Sequence, residues 1–193
     1  MFPWSEHFET QIDIIDEQHK QLVAILDKLC ISLDNHSVDL DVLDEILKEL
    51  LDYTIYHFTD EEKLMVDNKV SAKYVALHKM EHHSFTYDIE RMRNYFSMDN
   101  SVQELAENLV QFITAWLTYH ILGVDKVLVA QIKDIQQGVD PETAYQRHKK
   151  AEFDVVTTRL LLDSVLKMWK SANEHSQRVE QQLAQLLSEK NQV

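Results

Sequence analysis

The chain has 193 residues, 45% of them apolar, with two glycines, two prolines and a formal net charge of −14; that length suits one domain, or one domain with an extension. So few helix breakers among long runs of Leu, Glu, Lys, Gln and Ala indicate an all-α protein, and the acidic balance argues against nucleic acid or an anionic membrane surface as a partner, since both need a basic face. The amino terminus MFPWSEHFET lacks the basic start and apolar run of a signal peptide, and Leu109–Val124, broken by Gln111, Thr114, Thr118 and His120, is too short to span a bilayer, so the chain reads as cytoplasmic.

Residues 1–15 read as an irregular arm whose Met1, Phe2, Pro3 and Trp4 are apolar enough to pack on the domain. A first helix is predicted from about Asp16, whose carboxylate can cap free amides, to about Leu33. Its apolar residues Leu22, Val23, Leu26, Leu29 and Cys30 repeat at three and four, and His19 shares their face. Cys30, the single cysteine, cannot form an internal disulfide and reads as a small core residue. After the polar turn Asp34–Ser37, a second helix carries Val42, Leu43, Ile46, Leu47, Leu50, Tyr53, Thr54, His57, Glu61 and Leu64 along one stripe to about Asp67. A third, after Asn68–Ser71, runs through Leu77, His78, His82, Phe85, Ile89 and Met92 to about Phe96. The connection at 98–101 leads to a fourth, through Leu105, Leu109, Phe112, Ile113, Trp116, Leu117 and His120 to about Gln137. Short loops between four helices predict an antiparallel up-down-up-down four-helix bundle over residues 1–137.

Residues 138–193 read as a C-terminal helical extension. Pro141 suits the first turn of a helix capped by Asp140. Leu162, Val165, Trp169, Ala172, Ser176, Val179, Leu183 and Leu186 then follow a heptad seam, which fits a helix that pairs with a second copy as a homodimer or links to a further domain, or one that folds back on the bundle. The sequence ends mid-helix without a cap, so more chain is expected in the full-length protein.

The chemistry lies in His57–His82, HFTDEEKLMVDNKVSAKYVALHKMEH. His57 with Glu61 and His78 with His82 are pairs spaced by four, so each projects from one helix face. His19 near the start of the first helix, and His120 and Asp125 late in the fourth, belong to the same end of an antiparallel bundle. Five imidazoles and two carboxylates can therefore converge. One spacing resists: five residues turn about 500° and would leave His120 and Asp125 about 140° apart. A single wide turn would realign them, and a π-type irregularity is predicted there, around Gly123.

Glu61 and Asp125 as bridges, His78, His82 and His120 on one ion and His19 and His57 on the other use the set fully and leave one coordination position open once an oxide or hydroxide bridge is added. Five histidines exceed the needs of one tetrahedral zinc. Two ferric ions with an oxide, or two ferrous ions with a hydroxide, keep a low net charge with only two carboxylates, which suits an apolar interior. An oxidase-type carboxylate di-iron site draws on Glu-x-x-His motifs; this sequence contains none, which favours reversible binding over oxygen activation.

The order H…HxxxE…HxxxH…HxxxxD, with the phrases IDEQHKQL, YHFTDEE, HKMEH and WLTYHILGVDK, resembles the bacterial hemerythrin-like family over about residues 1–135. The resemblance implies two iron ions with a bridging oxide or hydroxide and dioxygen as ligand. His19 and His57 would serve the open iron and His78, His82 and His120 the saturated one, with Glu61 and Asp125 bridging. Leu22, Phe58, Trp116, Leu117 and Ile121 match the family's apolar oxygen pocket, and are equally read as ordinary core. Leu128 departs from an aromatic often found there, at the pocket's outer edge. The resemblance also implies the amino-terminal sensor of a signalling protein such as a diguanylate cyclase, with no catalytic residue in this stretch. An oxygen store or carrier, or a di-iron enzyme reducing peroxide or nitric oxide, are the alternatives. Asp16 and Glu81 could accept the outer imidazole N–H of neighbouring ligands or simply face water. His7, His36, His83, His148 and His175 are read as non-ligands, and Asp39–Glu49 as a solvated face.

Overall fold

The computed structural model describes residues 4, 6–35, 37–94 and 102–149, with no strand among them. A short 3₁₀ turn, Glu6–Phe8, precedes α1 (Asp13–Asp34), α2 (Leu40–Asp67), α3 (Ala72–Asn94), α4 (Val102–Tyr119), a wide turn (His120–Asp125), α5 (Lys126–Gln136) and α6 (Pro141–His148). The chain from Val102 to Gln136 is one continuous helix, so four long helices form the bundle among the described residues, α1 packing on α2 and α4, and α2 on α3.

Most boundaries have local causes. Asp39 accepts the Val42 amide at 2.8 Å and starts α2. The far ends of α2 and α5 close alike. Lys69 (φ 55°) and Gly138 (φ 89°) take the left-handed conformation, and the next amides, Val70 and Val139, return to the carbonyls of Met65 and Asp134 at 3.0 Å. Both are Schellman ends, where glycine is the usual residue and Lys69 the costlier choice. The α1 start corrects the sequence reading. It lies at Asp13, with Ile12 as an extended cap residue that makes no side-chain bond. Asp16 therefore caps nothing in α1: its carboxylate reaches back to the arm, accepting the Thr10 amide (2.6 Å), the Thr10 hydroxyl (2.7 Å) and the Gln11 amide (3.0 Å). It is buried, and no hydrogen bond from an imidazole reaches it among the described residues.

The core has two blocks. The larger fills the bundle body with Leu22, Leu26, Leu47, Phe58, Phe85, Leu109 and Leu117, while Met65, Val70, Tyr74, Val124, Leu128 and Ile132 close one end. Trp4 stacks on buried Phe8 at 5.5 Å, so the described part of the arm does pack on the domain. Cys30 is only partly buried, at the edge of the larger block. The helix Val102–Gln136 is by length and composition long and apolar enough to cross a membrane, where Leu109–Val124 alone is not; most of it is buried in the bundle, so its apolar side chains serve as core.

Asp140 accepts the Thr143 amide at 3.0 Å with Pro141 in the first turn, as the sequence predicts. α6 packs on α5. The heptad seam Leu162–Leu186, His36, His175 and the connection at 98–101 lie outside the described residues.

Candidate metal centre

Between the two core blocks lies a polar layer. The larger block ends at Phe58 on α2 and the end block begins at Met65; on α3 Tyr74 belongs to the end block and Phe85 to the body. His19, His57, Glu61, His78, His82, His120 and Asp125 occupy the interval, none more than 2% exposed. The wide turn predicted from spacing is present over His120–Asp125 as a π-helical segment, and it brings both side chains inward. Tyr74, one helical turn before His78, donates its hydroxyl to the Val124 carbonyl inside that turn at 2.5 Å.

The carboxylates divide their oxygens. Glu61 Oε2 stands 3.3 Å from His78 Nε2 and 3.1 Å from His82 Nε2, with Oε1 4.0 Å from His19 Nε2. Asp125 Oδ1 stands 3.4 Å from His78 Nε2 and 3.3 Å from His120 Nε2, while Oδ2 stands 3.1 Å from His19 Nε2. His57 Nε2 is 3.7 Å from Glu61 Oε2, and the Nε2 atoms of His82 and His120 are 3.1 Å apart. Donors about 2.1 Å from one ion and at right angles stand about 3 Å apart, so these separations are those of atoms sharing a cation. Two groups have ligand atoms all within 4.8 Å of one another: Glu61, His78, His82 and His120, and His19, His57 and Glu61. Asp125 does not meet that span with every member of either group, but turns one oxygen to each.

Unsatisfied atoms support the same reading. Both carboxylate oxygens of Glu61 and of Asp125, and both ring nitrogens of His19 and His78, are buried with no hydrogen-bond partner. Buried polar atoms are rarely left so, and a concentration of them at one layer fits a bound cation. The chemistry of the donor set, nitrogen-rich with two carboxylates, fits transition metal binding.

Electrostatics divides the imidazoles. Burial pushes His57 and His82 down to about 4, so both are neutral donors at neutral pH. Burial also works against charge on His78 and His19, but their contacts with Asp125 and Glu61 prevail: His78 is raised to about 10 and His19 is raised too. Burial opposes ionisation of Glu61 and Asp125, yet the surrounding imidazoles hold both below the usual carboxylate range. Without metal, the layer borrows protons to balance its two anions; metal ions would replace them.

Several contacts around the layer were not foreseen from sequence. Gln18, buried, accepts from His57 Nδ1 at 3.0 Å and donates to Asp60 at 2.6 Å, which fixes the tautomer that leaves Nε2 facing Glu61. Gln18 adjoins His19 and Asp60 adjoins Glu61 in sequence, but only the packing of α1 on α2 shows that they meet. Glu62 lies 3.8 Å from His82 Nδ1. The expected pocket residues are all in or against the larger block. Phe58 lies flat on His82 (3.7 Å between ring centroids, 7°) and Trp116 on His120 (4.2 Å, 14°). Leu128 is buried in the end block. His83 is exposed, and His148 pairs with Asp134 at 3.1 Å.

The sequence matches the Hemerythrin HHE cation binding domain over residues 10–132. The chain belongs to the hemerythrin family. A bacteriohemerythrin of Clostridium acetobutylicum is 33% identical over 128 residues, 65% of this chain and 97% of that protein. One of Stenotrophomonas maltophilia is 29% identical over 130 residues, 67% of this chain and 80% of the relative. A hemerythrin-like protein of Naegleria gruberi is 31% identical over 124 residues, 64% of this chain and 87% of its own length. The matches account for the hemerythrin bundle.

Proposed function

We propose that this hemerythrin domain holds a non-haem di-iron centre that binds dioxygen, and that it acts as an oxygen or redox sensor governing a downstream signalling output, with cyclic-di-GMP synthesis the output implied by the family resemblance. The carrying observation is the sealed layer in which Glu61 and Asp125 each turn one oxygen toward a three-histidine group and one toward His19. His78, His82 and His120 would hold one ion and His19 and His57 the other, with Glu61 and Asp125 shared between them.

When bound, the iron pair supplies the electrons and the open coordination position for dioxygen. The chain supplies the rest. Neutral His57 and His82 donate without first losing a proton, Gln18 keeps His57 in the donating tautomer, and Leu22, Leu117 and Ile121, each no more than 1% exposed, exclude water. A dry wall would keep solvent and protons from the centre. The absence of any Glu-x-x-His motif supports binding over oxygen activation. No catalytic role is assigned to these residues.

Residues 138–193 favour sensing over storage, since a carrier needs no connector. Anaerobic reduction followed by air exposure, with iron counted per chain, tests the centre. Two irons and a new charge-transfer band on aeration are expected; one zinc or an unchanged spectrum would remove the oxygen reading. Steady turnover of peroxide or nitric oxide would favour an enzyme instead.

A further inference from the structure

We infer that Tyr74 is a latch between the metal layer and α6, so that metal occupancy of the centre sets how firmly α6, the last described element before residues 150–193, is docked. The inference deepens the sensor reading above and rests on it for its biological meaning.

Tyr74 touches three things at once. Its hydroxyl donates to the Val124 carbonyl inside the wide turn, one residue before Asp125. Its ring stands edge-on to His78 at 5.6 Å. Its ring also meets Tyr145 of α6 at 6.2 Å, beside Ala144, which is fully buried. A wide turn disturbs the regular helical hydrogen-bond ladder, and a buried carbonyl there needs a donor. Tyr74 supplies a donor, and it is itself 6% exposed, so moving the turn displaces a side chain already packed against α6.

Apolar packing of Ala144 and Tyr145 on α5 and the end block also holds α6, and its polar contacts bypass the layer. Glu142 accepts from Ser71 at 3.1 Å and Lys73 at 2.8 Å, and Asp134 on α5 takes Arg147 at 3.2 Å and His148 at 3.1 Å. These are exposed or partly exposed contacts of small individual worth. Tyr74 with partly buried Tyr145 thus joins α6 to a side chain that touches the layer itself. With ions held between His120, His78 and Asp125, the wide turn is pinned, Val124 stays in place and Tyr74 keeps its acceptor. Without them, two carboxylates and five imidazoles share one dry layer, the turn loses its anchor, and α6 loosens with it. A ligand can bias α6 only through such a state-dependent contact.

Hydrogen exchange of the full chain, read in peptides covering 139–149 with and without saturating zinc, tests the latch independently of oxygen chemistry. Zinc is expected to slow α6 exchange about tenfold in the wild type. Tyr74→Phe should bind the same zinc per chain while the difference shrinks below about twofold. Tyr145→Leu, which leaves α3 and the wide turn untouched, carries the same expectation should Tyr74→Phe fold poorly. Glu142→Gln should speed exchange in both states and retain the difference. Equal α6 exchange with and without zinc, a full difference in both tyrosine variants, or loss of the difference in Glu142→Gln would overturn the inference. A zinc-dependent α6 in a chain that shows no oxygenated di-iron spectrum would uphold the latch and sink the oxygen reading; the opposite pair of results would do the reverse.

Discussion

The two halves of the metal layer are built differently. On the three-histidine side, Phe58 and Trp116 lie flat on His82 and His120, and His78 touches Tyr74, so aromatic surface fixes each ring. On the two-histidine side, His57 is held by a hydrogen bond to Gln18. Gln18 in turn lines an open groove of about 590 Å³ between α1 and α2, with Ile14, Tyr53 and Tyr56. One half is thus secured mainly by aromatic stacking, with Glu62 at 3.8 Å from His82 Nδ1, the other by a polar contact close to solvent. Apolar stacking gives rigidity without a titratable partner, whereas a hydrogen bond gives direction and leaves a route for exchange with water.

Substitutions can break that comparison directly. The largest effect is expected from removing a ligand. His120→Ala should lose both ions, because it opens the richer group, while His57→Ala should retain about one metal per chain on His78, His82, His120 and Glu61, a donor set complete for one ion. Metal analysis after gel filtration decides; equal loss in both variants would erase the distinction between halves. Removing metal altogether comes next: the chelated chain should melt at least about 10 °C below the loaded one in calorimetry.

Phe58→Ala should cost about 3–5 kcal/mol in denaturant unfolding of the metal-free chain, by emptying the space between His82 and the body core. Gln18→Leu should cost about 1–3 kcal/mol, since it strands His57 Nδ1 in a buried site, and nitrogen NMR should show His57 changing tautomer. If the polar substitution proved the costlier, the half ascribed to packing would not be the better anchored one.

The pH dependence of the metal-free chain gives a smaller effect. His57 and His82, lowered to about 4, cost no stability above their ordinary 6.5 and cost progressively more as pH falls toward 4. His78, raised to about 10, adds stability below 6.5 that is lost as pH rises through 10. The layer's contribution should peak near pH 6.5 and fall on both sides, seen as a maximum in melting temperature after the surface carboxylates are allowed for. A monotonic rise across pH 5–9 would contradict it. Asp60→Asn should do least, under about 1 kcal/mol, because Gln18 keeps its bond to His57.

Much of this was legible in the sequence because helical spacing is a geometric statement. The pairs His57/Glu61 and His78/His82 fix faces, and the five-residue step from His120 to Asp125 demanded a local irregularity that is present. The extent of α2 followed from the polar turn at Asp34–Ser37 and the polar stretch after Asp67, while Asp39 as its cap did not. What escaped depends on which helices touch. Asp16 looked like a helix cap and instead holds the arm, because the helix begins three residues earlier at a residue with no capping side chain. Tyr74 stands at the same spacing of four that marks His78 and His82, so a signal existed, but its partners Val124 and Tyr145 are distant in sequence. The carboxylate pairings around Gln18 and Glu62 likewise need the packed bundle.

The polar layer also divides the core in two, and that bears on cooperativity. Leu22, Leu47, Phe85 and Leu117 belong to one apolar block and Met65, Tyr74, Leu128 and Ile132 to another, with the imidazole layer between them. Metal bound across the layer would tie the blocks into one unfolding unit. Stripped of metal, the layer becomes a seam, and the end block with α6 should open as its own foldon before the body does.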